Sequence, residues 1–208
     1  MTAQIDIAEP ATLNQLDATG RALLFTDAHT VNNFAPTPVT DAELSDIWEL
    51  ARWAPSGANL QPLRVVFLRT EAGKSRLVPL MNEGNQAKTA AAPAVAVLAF
   101  DSRFHEHVPT VMPFKPELQD VFEANEDMRV SMGRFSASIQ VGYFILAIRA
   151  LGLAAGPMGG FDAPGVDQEF FSDGRWRSLL VVNIGHPGAD AWRDRLPRLE
   201  PKVVIDWA

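Results

Sequence analysis

Ala54-Pro55-Ser56-Gly57-Ala58-Asn59-Leu60-Gln61-Pro62 divides two runs of different period, and its reading sets the order of the elements around it. Upstream, Thr40-Asp41-Ala42-Glu43 has the pattern of a capping box. Leu44, Ile47, Trp48 and Ala51 then recur at helical spacing, so a helix should start near Asp41 and bury that face. Pro55 should stop it, because a proline drives the preceding residue out of helical geometry. Downstream, Val65-Val66-Phe67-Leu68 is apolar at consecutive positions, which suits a central strand covered on each side. Val95-Ala96-Val97-Leu98-Ala99-Phe100 and Leu179-Leu180-Val181-Val182-Asn183-Ile184 read the same way, giving three buried strands.

Between the last two lies a long helical stretch, Val130 to Leu151, apolar nearly all round and closed by Gly152. It should be a central, buried helix with a glycine C-cap. Ser102 to Glu117 gathers Phe104, His105, His107, Met112, Phe114 and three prolines without a period, so it reads as a surface excursion. Val203-Val204-Ile205-Asp206-Trp207 reads as an apolar strand with no local partner, the kind that pairs with another subunit.

The chain has 208 residues, 47% apolar and 21% charged, enough for one core without staples. The formal net charge of −7 repels a phosphate backbone, so no nucleic acid is expected as a partner. No cysteine is present, which removes disulfides, thiolate catalysis, iron-sulfur clusters and Cys-based zinc sites. Met1 to Pro10 lacks a basic segment followed by an apolar one, and no apolar run reaches a membrane span. The expectation is a cytoplasmic protein with no membrane partner.

Most familiar catalytic motifs are missing: no G-x-G-x-x-G opens a helix, and no P-loop, H-E-x-x-H or G-x-S-x-G occurs. His105-Glu106-His107 is the nearest approach to a metal site, but an i, i+2 pair without a third ligand reads better as solvated surface. Ser56 as a nucleophile lacks a histidine in a hydrolase context, so capping or loop hydrogen bonding is the better reading. What stands out is a set of short polar loops at element ends: Ala54 to Pro62, Asn85-Gln86-Ala87-Lys88, and Gly156-Pro157-Met158-Gly159-Gly160-Phe161-Asp162. The glycines of the last suit either a backbone exposing N–H groups to a ligand or a tight turn.

Those segments, together with Gly84 and the terminal Arg195-Leu196-Pro197-Arg198-Leu199, resemble the FMN-dependent nitroreductase family in order and spacing from about Phe25 onward. Phe25-Thr26-Asp27-Ala28, Thr37-Pro38-Val39, Arg64-Val65-Val66-Phe67, Lys88-Thr89 and Asn183-Ile184-Gly185 resemble the branch containing the malonic semialdehyde reductase of pyrimidine breakdown. The resemblance implies an α+β fold, a mostly antiparallel sheet flanked by helices. It also implies a homodimer with a C-terminal strand exchanged and FMN at the interface. Residues 1–208 would form a single FMN-binding domain, residues 1–20 a peripheral arm and residues 102–129 an excursion over the substrate side.

By the same resemblance, His29, Thr30 and Asn32 hold the FMN phosphate, approached by Arg195 and Arg198. Pro55, Ser56, Gly57 and Asn59 line the ribityl chain and ring, Asn85 and Lys88 the pyrimidine edge, and Pro157, Met158, Gly159 and Gly160 the region of N5 and O4. No side chain is assigned as catalytic, since flavin N5 carries the hydride; NADH or NADPH is the co-substrate. These residue types fit that chemistry. A cation such as Lys88 near N1 and O2 stabilises the charge of the reduced ring, and guanidinium suits a dianionic phosphate. The phosphate segment carries Ala28, His29 and Asn32 where many relatives place cations. The substrate expected from the branch is malonic semialdehyde, reduced to 3-hydroxypropanoate, with Arg64, Arg129 or Arg134 meeting its carboxylate. A broad nitroaromatic, quinone or enone reductase, and a flavin-binding module without turnover, are the alternatives.

Overall fold

The computed structural model describes residues 14–208. The first part of the expected peripheral arm, residues 1–13, lies outside the described residues. Helix α1 (Ala18–Arg21) runs into a π-helical turn, Ala22–Thr26. Helix α2 (Asp41–Ala51) starts at the expected capping box: the Glu43 N–H donates to Thr40 Oγ1 at 3.2 Å and the Thr40 N–H to Glu43 Oε2 at 2.7 Å. It buries Leu44, Ile47 and Ala51.

Strand β1 (Leu63–Leu68) is followed by α3 (Glu71–Leu77), α4 (Glu83–Ala91), β2 (Ala94–Asp101), α5 (Val108–Val111), α6 (Leu118–Ala124) and α7 (Glu126–Ala150). Then come β3 (Ala154–Met158), α8 (Ala163–Phe170), β4 (Trp176–Gly185) and α9 (Pro201–Val204). The four strands form one antiparallel sheet in the order β1-β2-β4-β3.

The two-residue period of β2 explains why both faces of the sheet are covered. Ala94, Ala96 and Leu98 point into a cluster with Ile47 of α2 and Phe144 and Ile148 of α7. Val95, Val97 and Ala99 point the other way, against Leu77, Met81, Val166 and Phe171. Each large apolar side chain fully buried this way contributes about 1.5–3 kcal/mol, so the helices are held to the sheet from both sides.

Several sequence expectations need correction. β1 is an edge strand, not a central one, and its middle residues are only half-buried. A fourth strand, β3, occupies Ala154 to Met158, where a loop was expected from Gly156. The Val31 N–H donates to the Ala155 carbonyl at 3.1 Å, and a Cβ on Gly156 would sit 3.2 Å from the Val31 carbonyl oxygen, so glycine permits this close approach. Asn85 to Lys88 lies inside α4 and is not a loop. Helix α7 begins four residues before Val130, where the Asn125 side chain accepts from the Met128 N–H at 3.0 Å, and Gly152 at φ 75° ends it as expected. It is not buried all round: Phe135 and Tyr143 are exposed.

Ser102 to Glu117 is not a plain surface excursion. Phe104 and Val108 are buried with Leu60 and Phe122 in a small core of their own, Phe104 meeting Phe122 edge-on at 5.4 Å. In the tail, Val203 and Val204 close the short helix α9, and Ile205 to Ala208 pair with no strand among the described residues. No helix among the described residues is long and apolar enough to cross a membrane.

Candidate functional site

The segment 28–32 and the segment 193–198 meet in a basic cleft of about 620 Å³. His29, Thr30 and Asn32 line one side and Arg195 and Arg198 the other, with Arg149, Arg193 and Asp194 between them. Backbone pairing explains the meeting: the Asn32 N–H donates to the Ala191 carbonyl at 2.9 Å, and the Asn33 side chain to the Ala189 carbonyl at 2.7 Å. The Arg195 guanidinium donates to the carbonyl oxygens of Thr26 and Ala28, which ties the tail to the segment before His29. The His29 ring faces Trp192 at 6.0 Å. Burial, and then the charge of Arg195, hold the Arg149 guanidinium below its ordinary pKa.

A second group lies beyond the far end of β3. Gly160 accepts at its carbonyl from the Asn82 N–H and from the Asn85 side-chain amide, both at 3.0 Å. A Cβ at Gly160 would sit 2.9 Å from both asparagine amide nitrogens, so a side chain there displaces them. The N–H groups of Gly159 and Gly160 find no acceptor among the described residues. Lys88 lies one turn beyond Asn85 on α4, half-buried and without an ion pair among the described residues. From Ala155, beside Val31, to Gly160 the chain is extended over five residues, about 17 Å at the rise of a strand. Pro157 and Met158 belong to that strand. Met158 is buried, its sulfur 3.8 Å from both Thr89 Oγ1 and Asn183 Nδ2.

Pro55, Ser56, Gly57 and Asn59 stand apart from both groups within this chain. Ala58, Asn59 and Gln61 have φ of 49°, 53° and 46°, a left-handed geometry that costs non-glycine residues energy. Hydrogen bonds hold it: Gln61 N–H to Ser56 Oγ at 3.1 Å, Gly57 N–H to Ser136 Oγ at 3.2 Å, and the Asn59 side chain to the Val111 carbonyl at 2.7 Å. Ser56 is thus a loop staple, as the sequence suggested. None of these bonds reaches the cleft or Gly160.

Three arginines were candidates for a substrate carboxylate. Arg64 is committed to the buried carboxylate of Asp101 at 2.8 Å, and Arg129 donates to the carbonyls of Phe122 and Glu123. Arg134 packs over the Phe100 ring at 5.6 Å and has no ion pair among the described residues. His105 and His107 part company. His105 is 1% exposed with Nε2 2.5 Å from a Glu123 carboxylate oxygen, whereas His107 faces solvent. The solvated-surface reading therefore fails for His105, whose ring meets Phe104 edge-on at 6.1 Å.

An antiparallel sheet flanked by helices, with a cleft lined by four arginines at its side, defines an α+β protein. The comparisons specify it further. The nitroreductase family model matches residues 26–186. A protein from Streptomyces coelicolor whose provisional name is NADH dehydrogenase/NAD(P)H nitroreductase is 56% identical over 196 residues, 94% of this chain and 97% of its own. A nitroreductase-like structure from Exiguobacterium sibiricum, solved in complex with FMN, superposes with a TM-score of 0.82 at 21% identity, covering 94% of this chain and all of its own. The structure of an enone reductase of gut-bacterial fatty acid saturation gives 0.77 at 20% identity, over 93% and 99% of the two chains. The chain belongs to the nitroreductase family, a family of oxidoreductases.

Proposed function

We propose that this protein is an FMN-dependent NAD(P)H oxidoreductase working as a homodimer. The observation that carries the reading is the cleft at which His29, Asn32, Arg195 and Arg198 converge, one strand length from the free amides of Gly159 and Gly160. The residues present fit FMN. Guanidinium groups suit a phosphate dianion, and unengaged backbone N–H donors with a lysine nearby suit the polar edge of a flavin ring. The FMN complex of the similar structure supports the same assignment.

When bound, FMN would supply two-electron redox chemistry between NADH or NADPH and an oxidised substrate. The arginines of the cleft anchor the phosphate. The Gly159 and Gly160 N–H groups orient the ring edge without adding a titratable group, and Lys88 places a positive charge that favours the reduced state. No side-chain acid is assigned a proton.

A second copy of the chain completes this site. The Pro55 to Asn59 loop makes no contact with the cleft in its own chain, and β1 leaves an outer edge flanked by a groove of about 570 Å³ lined by Leu44, Trp48, Val65, Phe67 and Trp176. The tail offers Val203, Val204, Ile205 and Trp207, all exposed, and α7 offers Phe135 and Tyr143. Exchange of the tail onto a partner's β1 covers these surfaces and brings the partner's loop to the ring.

For the substrate, the branch resemblance favours malonic semialdehyde, reduced to 3-hydroxypropanoate. With Arg64 and Arg129 engaged internally, Arg134 is the cation left for its carboxylate. The alternative is a broader reductase of nitroaromatics, quinones or enones. Anaerobic titration of the purified protein with each nicotinamide tests the cofactor reading: a yellow protein that bleaches supports it, and a colourless one that refuses added FMN defeats it. A yellow protein never bleached is a binding module without turnover. NAD(P)H oxidation driven by malonic semialdehyde against a nitrofuran then decides the substrate.

A further inference from the structure

We infer that Arg149, in the last turn of α7, is a direct ligand of the FMN phosphate and replaces the cation that the segment Ala28 to Asn32 lacks. This rests on the FMN reading above and adds to it a residue from a separate element, more than a hundred positions from the phosphate segment.

Arg149 lines the same cleft as His29, Asn32, Arg195 and Arg198. Its neighbours there are partly engaged: Arg195 donates through one terminal nitrogen to the carbonyls of Thr26 and Ala28, and Arg198 through one to the carbonyls of Leu196 and Pro197 at 2.8 and 3.3 Å. The half-buried Arg149 side chain donates to no group among the described residues and forms no ion pair there, leaving all five of its N–H donors available. Arg193 is also without a partner there but is exposed, and Asp194 is the cleft's carboxylate. A guanidinium held partly out of water beside another cation is unfavourable until an anion compensates both. Burial and the Arg195 charge do depress its pKa. A phosphate dianion in the cleft offsets both effects and can accept the bidentate, charge-assisted bonds a guanidinium offers.

The competing explanation is that Arg149 only complements the negative end of the α7 dipole. That role alters stability. It does not distinguish a phosphorylated from an unphosphorylated flavin.

The test titrates flavin-stripped wild type, Arg149→Gln and Arg149→Lys with FMN and with riboflavin, following quenching of flavin fluorescence, and records each apo-protein's Tm. Arg149→Gln should weaken FMN binding on the order of tenfold to hundredfold while riboflavin binding stays within about twofold, the expectation for a lost charge-assisted bond. Arg149→Lys should fall between, since it keeps the charge but not the fork. Should the glutamine variant fail to fold, a selective loss of FMN affinity in the lysine variant supports the assignment, and wild-type affinity there overturns it. Equal FMN affinity in all three proteins, or a parallel loss of both flavins, overturns it as well. A wild type that binds neither flavin defeats the cofactor reading itself, and the inference with it.

Discussion

The Asn85 side-chain amide donates to the Gly160 carbonyl oxygen at 3.0 Å and so fastens α4 to the loop after β3. The Asn82 N–H meets the same oxygen, so one carbonyl sets the distance between the Lys88 helix and the free glycine amides. Gly160→Ala puts a Cβ 2.9 Å from two flexible amide ends, which yield without unfolding the chain. The expected outcome is a stability loss below about 1 kcal/mol by urea titration, with FMN binding weakened about fivefold through the lost Asn85 tether. Unchanged FMN affinity would show that this tether does not place the site.

Asp101 closes β2 as a buried carboxylate between two arginines, accepting from Arg64 at 2.8 Å, from Arg175 at 2.9 and 3.0 Å, and from the Arg103 N–H at 2.9 Å. Asp101→Ala leaves the largely buried Arg64 guanidinium without its counter-charge. Breaking such a pair from one side costs about 3–5 kcal/mol, read as a fall in the urea midpoint. A loss below about 1 kcal/mol would mean that water takes the carboxylate's place.

The same carboxylate gives a pH dependence. Burial pushes the Asp101 pKa up, but the hydrogen bond from Arg175, the Arg103 N–H and the two guanidinium charges outweigh it, and the net shift is downward. A folded pKa below the unfolded value of about 3.9 means that the ionised form stabilises the fold above about pH 4. That contribution is lost as the pH falls through the folded value. Wild-type stability should therefore begin to drop below about pH 5, and the drop should shrink in Asp101→Asn. Parallel pH profiles for the two proteins would remove Asp101 as the source.

How far the sequence revealed this architecture depended on whether an element's cause was local. The start of α2 was legible because Thr40 and Glu43 satisfy each other's backbone groups, and β2 because apolar residues at every position need two covered faces. β3 was not legible: Gly156 and Pro157 resemble a turn, and only Val31 and β4, distant in sequence, make them a strand. Asn85 to Lys88 looked like a loop because it is polar, yet the side-chain amides of Asn85 and Gln86 donate to the carbonyls of Gly160 and Met81, partners that appear only in the fold. Arg149 was not legible because it occupies an ordinary position in a helix, and only the fold brings His29 and Arg195 beside it. The His29 and Arg195 group and the Gly160 and Lys88 group could be named by resemblance, yet their separation from the Pro55 to Asn59 loop appears only in three dimensions.

Gly185, at the end of β4, sits where the residue 34 segment crosses the sheet. A Cβ there would lie 2.7 Å from the Phe34 ring and 2.8 Å from the Pro93 ring, and neither ring can swing away as a flexible chain end would. Gly185→Ala should cost about 1–3 kcal/mol by overpacking, seen as a lower Tm. A variant as stable as wild type would show that Phe34 is not fixed against the sheet.

The exposed tail and the open β1 edge carry the dimer proposal, and they can be tested separately from flavin chemistry. Trp207 is 90% exposed, with Val203, Val204 and Ile205 also uncovered, an arrangement a lone protomer leaves in water. Burying Trp207 and Ile205 on a partner should each contribute about 1.5–3 kcal/mol. A chain ending at Leu199 should therefore have a dimer dissociation constant raised by at least about a hundredfold at that rate per side chain, measured by light scattering across a dilution series. Because the partner's Pro55 to Asn59 loop is then withdrawn from the ring, the shortened chain should also release FMN on dilution. A shortened chain that stays dimeric at wild-type dilution would assign dimerisation to the Phe135 and Tyr143 face of α7 instead and leave the tail without that role.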